Sequence, residues 1–136
     1  MTYTQIQNDV VEKYRIVLNP NSNCWSRTHA HPQKRMVCKW KQRNSLPSTF
    51  TLLHEVGHIV ANNSKMRRAE QEFYATMWAL KEAKKYGLTI PAVIVADYQE
   101  YIDREIDRGI RRGGNGYGVL SLRCALGDEY SEIVCE

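Results

Sequence analysis

Apolar residues recur along this chain with two different spacings, and the change of spacing divides it into regions. In "YTQIQNDVVEKY" (3–14), Ile6, Val10, Val11 and Tyr14 fall at helical intervals, which predicts a first helix. "RIVLN" (15–19) is short, branched and apolar, and it stops at Asn19-Pro20, as a strand does. "NPNSN" is turn chemistry, and "RMVCKW" (35–40) then alternates apolar with basic side chains like a half-exposed strand. With a further strand across 24–29, these segments predict a small antiparallel sheet.

Helical spacing returns after residue 46. Pro47-Ser48 opens a helix and Asn62-Asn63 closes it; a second runs from about Met66 to Tyr86, with Gly87 as its C-terminal stop. A third starts near Pro91, carries Ile94, Tyr98, Ile102 and Ile106 on one stripe, and ends in "RGGNGYG" (112–118). The tail, 119–136, reads equally well as a strand or as loose turns. Helix, small sheet, then helices is an α+β order. At 136 residues the expectation is one domain over 1–136, able to bury a core without staples.

The first of these later helices carries chemistry. "TLLHEVGHIV" (51–60) sets His54 and His58 four residues apart, with Glu55 directly after the first. Residues i and i+4 lie about 40° apart on a helix, so two imidazoles can share one tetrahedral Zn²⁺. Glu55 lies about 100° round, beside such an ion, where its carboxylate could take a proton from an activated water. A shuffled chain of this composition would contain HExxH about one time in a hundred, so the pattern alone decides little. The wheel adds weight: Leu52, Leu53, Val56, Ile59 and Val60 cluster opposite the histidines, so the pair is not needed to anchor the helix. Gly57, mid-helix, costs roughly 1 kcal/mol relative to Ala. Close approach by another backbone would explain it, as would simple tolerance.

A zinc site of the hydrolytic kind needs a third protein ligand. The next helix offers Glu70 and Glu72, and their directions differ. Ala69, Phe73, Thr76, Ala79, Leu80 and Ala83 surround Glu72 on the helical wheel, which places it amid the apolar face; Glu70 points to the water side. A buried carboxylate needs a partner. The histidine pair would supply one through a metal; a salt bridge to Arg15 or Arg104 is the plainer alternative.

"TLLHEVGHIVANN" followed by "EFYATMWAL" resembles the ImmA/IrrE-like zinc peptidases, compact members of the gluzincin group. Glu72, Ala75, Trp78 and Ala79 fit that family's glutamate helix, so the resemblance also selects Glu72 as third ligand. The quoted segments lie within residues 51–80, 30 of the 136. It implies a compact zincin-like fold and an endopeptidase that holds Zn²⁺ on His54, His58 and Glu72, with Glu55 as general base. Thr76 departs from the pattern: the family usually has Asn or Asp there, to orient a ligand histidine. Members often accompany a helix-turn-helix module and cleave a transcriptional repressor. No such module is legible here, so the partner expected is a protein or peptide substrate, with a repressor as one candidate. Tyr98, Tyr117, His29 and His31 are candidates to stabilise the oxyanion, and the "RMVCKWK" edge is the place where an extended substrate could add as a strand.

Composition adds limits. No apolar run approaches a membrane span and Met1 is followed by polar residues, so the expected compartment is the cytoplasm, with Cys24, Cys38, Cys124 and Cys135 as reduced thiols. Cys24, His29, His31 and Cys38 form C-x4-H-x-H-x6-C, a spacing that matches no zinc finger or ribbon; strand alternation alone would put the two histidines on one side. The net charge of +4 is uneven: counting Lys13 itself, eight Lys or Arg and no acid lie from Lys13 to His54, and 11 bases face 13 acids from Glu55 onward. Without a recognition motif, this basic third makes direct nucleic-acid binding the weaker reading. A non-catalytic protein that keeps the fold for binding is the other rival.

Overall fold

Five helices and three short strands make up the regular structure among the residues that the computed structural model describes, namely 1–19, 27–28, 35–38, 40–63, 65–114 and 119–135. The protein is mostly helical. Helix α1 (Tyr3–Lys13) begins at a reciprocal cap, Gln5 N donating to Thr2 Oγ1 at 3.1 Å and Thr2 N to Gln5 Oε1 at 2.7 Å. Its inner face buries Ile6 and Val10 together with Gln7. The Nε2 of that buried amide donates at long range to Arg43 O at 2.7 Å and to Thr49 Oγ1 at 2.8 Å, and so ties α1 to the start of the next helix.

Strands β1 (Ile16–Asn19), β2 (Arg27–Thr28) and β3 (Arg35–Cys38) pair in the order β1-β3-β2. The expected all-antiparallel sheet is corrected here: β1 runs parallel to β3, Ile16 opposite Arg35 and Asn19 opposite Cys38, and only the two-residue β2 is antiparallel. Alternation along one strand records which face is wet. It does not record which neighbour the strand pairs with or in which direction. The pairing also overturns β3 as the edge open to a substrate, since it is the central strand, bonded on both sides.

Helix α2 (Leu46–Val60) starts at Ser45, whose hydroxyl accepts from Ser48 N, with Pro47 in the first turn. Phe50, Leu52, Leu53, Val56 and Ile59 are buried along it. Helix α3 (Arg68–Lys85) stops at Gly87, which adopts φ of +74°. Gly87 N donates to Lys84 O and Leu88 N to Ala83 O, each at 2.9 Å, closing the last turn with a left-handed residue that glycine supplies without steric cost. Helix α4 (Ala92–Arg111) follows Pro91 and buries Val95, Ile102 and Ile106 on its stripe.

A short 3-10 turn (Leu120–Leu122) leads into α5 (Ala125–Cys135), so the tail is a helix, neither strand nor loose turn. Leu126 is fully buried, and Tyr130 and Ile133 follow it at helical spacing against the core. No Ser, Thr, Asp or Asn stands before this helix. The cap comes instead from α4, where Gln99 accepts from Leu126 N at 2.9 Å and donates to Leu122 O at 3.0 Å.

Where α2 crosses α3, the two helices come close to bare backbone contact. A Cβ added at Gly57 would lie 2.5 Å from the Ala75 carbonyl oxygen and 3.0 Å from its Cα. Of the two explanations for a glycine at 57, close approach is the one observed. Gly57→Ala gains about 1 kcal/mol of helix propensity but must push two backbones apart, and overpacking of that kind costs typically ~1–3 kcal/mol or more. Urea unfolding of Gly57→Ala should therefore show net destabilisation. A variant more stable than wild type would mean that the helices do not meet here.

Candidate metal centre

Two turns of α2 and one of α3 face each other beside that crossing. His54 and His58 project from α2 toward α3, and Glu72, from the apolar face of α3, projects back. His54 is 5% exposed and Glu72 4%, so neither has water as its partner. The Glu72 Oε2 atom lies 2.9 Å from His54 Nε2 and 3.1 Å from His58 Nε2, and the two Nε2 atoms lie 3.0 Å apart. Among the described residues, His54, His58 and Glu72 are a group that could hold a metal ion.

Ring protons cannot satisfy this triangle. A carboxylate oxygen only accepts, and the nitrogen–nitrogen contact is a hydrogen bond only if one Nε2 carries a proton and the other is bare. The bare nitrogen then meets the carboxylate lone pair to lone pair. If both carry protons, the nitrogen–nitrogen contact is repulsive instead. A cation among the three atoms removes the conflict, since each lone pair then points at positive charge. The triangle also has nearly the right size: ligand atoms bound tetrahedrally at ~2.0–2.1 Å stand about 3.3–3.4 Å apart.

The outer nitrogens of the two rings support the same arrangement. Thr76 Oγ1 gives its own proton to Glu72 O at 2.8 Å, so at 3.1 Å from His54 Nδ1 it is left to accept. His54 therefore carries its proton on Nδ1 and presents Nε2 as a bare lone pair. Threonine performs here the orienting task for which the sequence offered a shorter reach than Asn or Asp. Asn62, which reads in sequence only as a helix stop, sits at the end of α2 with its side-chain amide 2.7 Å from His58 Nδ1. Its nitrogen faces the ring and its Oδ1 is buried without a hydrogen-bond partner among the described residues; a metal on His58 Nε2 would leave the ring proton on Nδ1 and so call for the amide oxygen there instead. Turned, Oδ1 accepts from Nδ1–H and frees His58 Nε2 as a second bare donor. The signal for Asn62 was its place four residues after His58.

The other Glu72 oxygen is also held. Arg68 Nη2, one turn earlier on α3, stands 3.2 Å from Oε1. The arginine beside Glu72 is thus Arg68, at the i,i+4 spacing that pairs charges along a helix, and it adds to the histidines without replacing them. Burial pushes the Glu72 carboxyl up, while hydrogen bonds and charge from imidazoles that carry a proton on the facing nitrogen pull it down, to about 2. It is a carboxylate at any neutral pH.

Glu55 is half-buried on the turn beside His54. Tyr98, from α4, lies over His54 with ring centroids 4.6 Å apart and edge-on to Phe50 at 5.3 Å. Burial, with the charges of Glu55 and Glu72 behind it, pushes the Tyr98 phenol up to about 12 against the opposing hydrogen bond with Thr51, so it keeps its proton. Tyr117, Cys24, His29 and His31 lie outside the described residues, as does the side chain of Cys38. Cys124 is a free, exposed thiol. No helix among the described residues is long and apolar enough to cross a membrane.

Comparison with known proteins finds no matching family model, no matching curated protein and no matching solved structure.

If Asn62 and Thr76 hold the imidazoles as described, removing either should weaken Zn²⁺ binding by about 10–100-fold, the usual cost of losing an orienting partner. Competition with a chromogenic chelator would measure this for Asn62→Ala and Thr76→Ala. Asn62→Asp, which can only accept, should bind at least as tightly as wild type. Weaker binding by Asn62→Asp than by Asn62→Ala would refute the orientation assigned to the amide.

Proposed function

We propose that the chain is a zinc-dependent endopeptidase of the compact gluzincin kind, with His54, His58 and Glu72 as the metal ligands and Glu55 as the general base. The observation that carries this reading is the triangle of Nε2, Nε2 and Oε2 atoms, buried and unsatisfiable by protons, on a helix that also bears Glu55. Two neutral imidazoles and one carboxylate form the donor set that suits Zn²⁺ in hydrolytic sites and leaves a further position open. The HExxH helix followed by a glutamate helix supports the likeness to ImmA/IrrE-like peptidases and to a zincin-like fold. The substrate class is a protein or peptide; the compartment in keeping with it is the cytoplasm.

Bound Zn²⁺ would supply Lewis-acid polarisation of the scissile carbonyl and lower the pKa of water toward neutrality. The rest falls to the chain. Glu55 takes the proton from the attacking water and returns it to the leaving amine. Tyr98, protonated and packed on His54, is the described residue best placed to donate a hydrogen bond to the developing oxyanion. Phe50 holds its ring edge-on and so limits its rotation.

Glu55→Gln should keep a full complement of zinc and lose cleavage by several orders of magnitude, read by metal analysis beside cleavage of a peptide library. Tyr98→Phe should retain zinc, with kcat lower by about 10²-fold and KM nearly unchanged. A zinc-loaded wild type that cleaves nothing, and behaves in binding as Glu55→Gln does, would leave the non-catalytic binding protein as the better reading.

A further inference from the structure

A cavity of about 330 Å³ opens where the start of α3 meets the last turns of α4. Its floor is apolar, with Ile106 and Val119 among the buried residues beneath it. Its walls are cationic: Arg67, Arg68, Arg108 and Arg112 line it, and Glu105 is the acidic residue that lines it with them. Glu105 is buried and its Oε1 accepts from Arg108 Nη1 at 2.9 Å, so that carboxylate is committed. Arg112 has no carboxylate partner among the described residues. The cavity's position is what gives it meaning. Arg68 lines its wall and also stands 3.2 Å from Glu72 Oε1, whose other oxygen meets the two imidazoles. The Arg68 side chain thus belongs both to the cavity wall and to the surroundings of Glu72.

From this juxtaposition we infer that the cavity is a specificity pocket for an acidic side chain of the substrate, glutamate before aspartate. The inference rests on the peptidase reading and names its substrate class. An extended peptide advances about 3.3 Å per residue, so a substrate running from the metal centre past Arg68 would seat here the side chain of a residue close to the scissile bond. The two methylenes of glutamate cover the Ile106–Val119 floor, and its carboxylate reaches the arginines in the fork geometry that guanidinium groups favour. Aspartate, one methylene shorter, reaches either the floor or the rim. A nucleic acid would need a basic track along its backbone, and the arginines here line one open cavity instead.

The test uses the full chain in two arms. In the first, ¹⁵N-labelled, zinc-loaded Glu55→Gln is titrated with the peptide Ala-Ala-Glu-Ala-Ala-Ala, its Gln and Asp twins, and inorganic phosphate. The Glu peptide should shift the amides of Gly109, Arg112 and Gly114 and bind at least about tenfold more tightly than the Gln twin, with Asp between them. Arg112→Gln should reduce that preference and Arg112→Glu abolish it; the graded pair keeps the result readable if the charge reversal disturbs the helix end. Equal binding of Glu and Gln peptides, shifts confined to other residues, or tighter binding of phosphate than of the Glu peptide would each overturn the inference. In the second arm, cleavage of a peptide library by wild type should show glutamate enriched within two residues of the cut, with Arg112→Glu raising KM and leaving kcat nearly alone. Cleavage without acidic preference defeats the pocket and leaves the peptidase standing. Acid-selective binding without any cleavage defeats the peptidase and leaves the pocket as an acid-recognition site.

Discussion

The contact between Gly57 and the Ala75 backbone sets the distance on which the candidate site depends. Side chains normally keep packed helices 8–10 Å apart, and at that spacing a glutamate on one helix and two histidines on the other have slack in their reach. Here the missing Cβ lets α3 settle onto α2 one residue away from His58 and three from Glu72. The imidazole and carboxylate tips then converge to about 3 Å with little conformational freedom left in the connecting backbone. A mid-helix glycine is unfavourable for α2 as an isolated helix. It is favourable for the pair, because the fully buried Ala75 packs directly where a larger residue at 57 would have stood.

That close packing concentrates an electrostatic conflict in one place. Three lone-pair atoms share a volume with almost no water, and the neighbours sharpen the conflict: Thr76 fixes the His54 tautomer that leaves Nε2 bare, and Arg68 fixes the Glu72 oxygen that does not face the rings. A structure selected for stability alone would put aliphatic side chains at 54 and 72, since buried polar clusters rarely outperform well-packed hydrophobic ones. Chains keep such groups where a ligand is stabilised by them. Binding of a divalent cation would then also stabilise the fold, since the unfolded chain holds no such preformed set of donors.

The parts of this arrangement that were legible in sequence are those written in one helix at a time. Periodicity located α1 to α4 to within a few residues, and the wheel distinguished Glu72 from Glu70 because one falls among Ala69, Phe73, Thr76 and Leu80 and the other does not. Gly57 announced itself as a cost without disclosing its cause. What escaped depends on partners remote in the chain. Nothing near Cys124 signals the start of α5, because its cap is Gln99 on another helix. Parallel pairing of β1 with β3 follows from a crossover, to which local alternation is blind. Asn62 and Arg68 obey a readable i,i+4 rule, yet Asn62 also has an ordinary reading as a helix stop, and Arg15 and Arg104 are the arginines that the sequence suggests for Glu72.

Arg68 joins two problems that are usually solved separately. A carboxylate ligand with both oxygens free can swing between one-point and two-point binding of a cation; one whose outer oxygen is held by a guanidinium is kept to one point. The same guanidinium forms part of the wall of the arginine-lined cavity, so whatever negative charge enters there competes with Glu72 for it. Weakening the Arg68–Glu72 contact returns electron density to Glu72, and a more basic carboxylate binds a cation more strongly while lessening that cation's power as a Lewis acid. With a cation held by Glu72, occupancy of the cavity and the electrophilicity of that cation would be coupled through Arg68, which lines the one and contacts the carboxylate of the other. The coupling needs no movement of the helices, which their backbone contact at Gly57 holds in place.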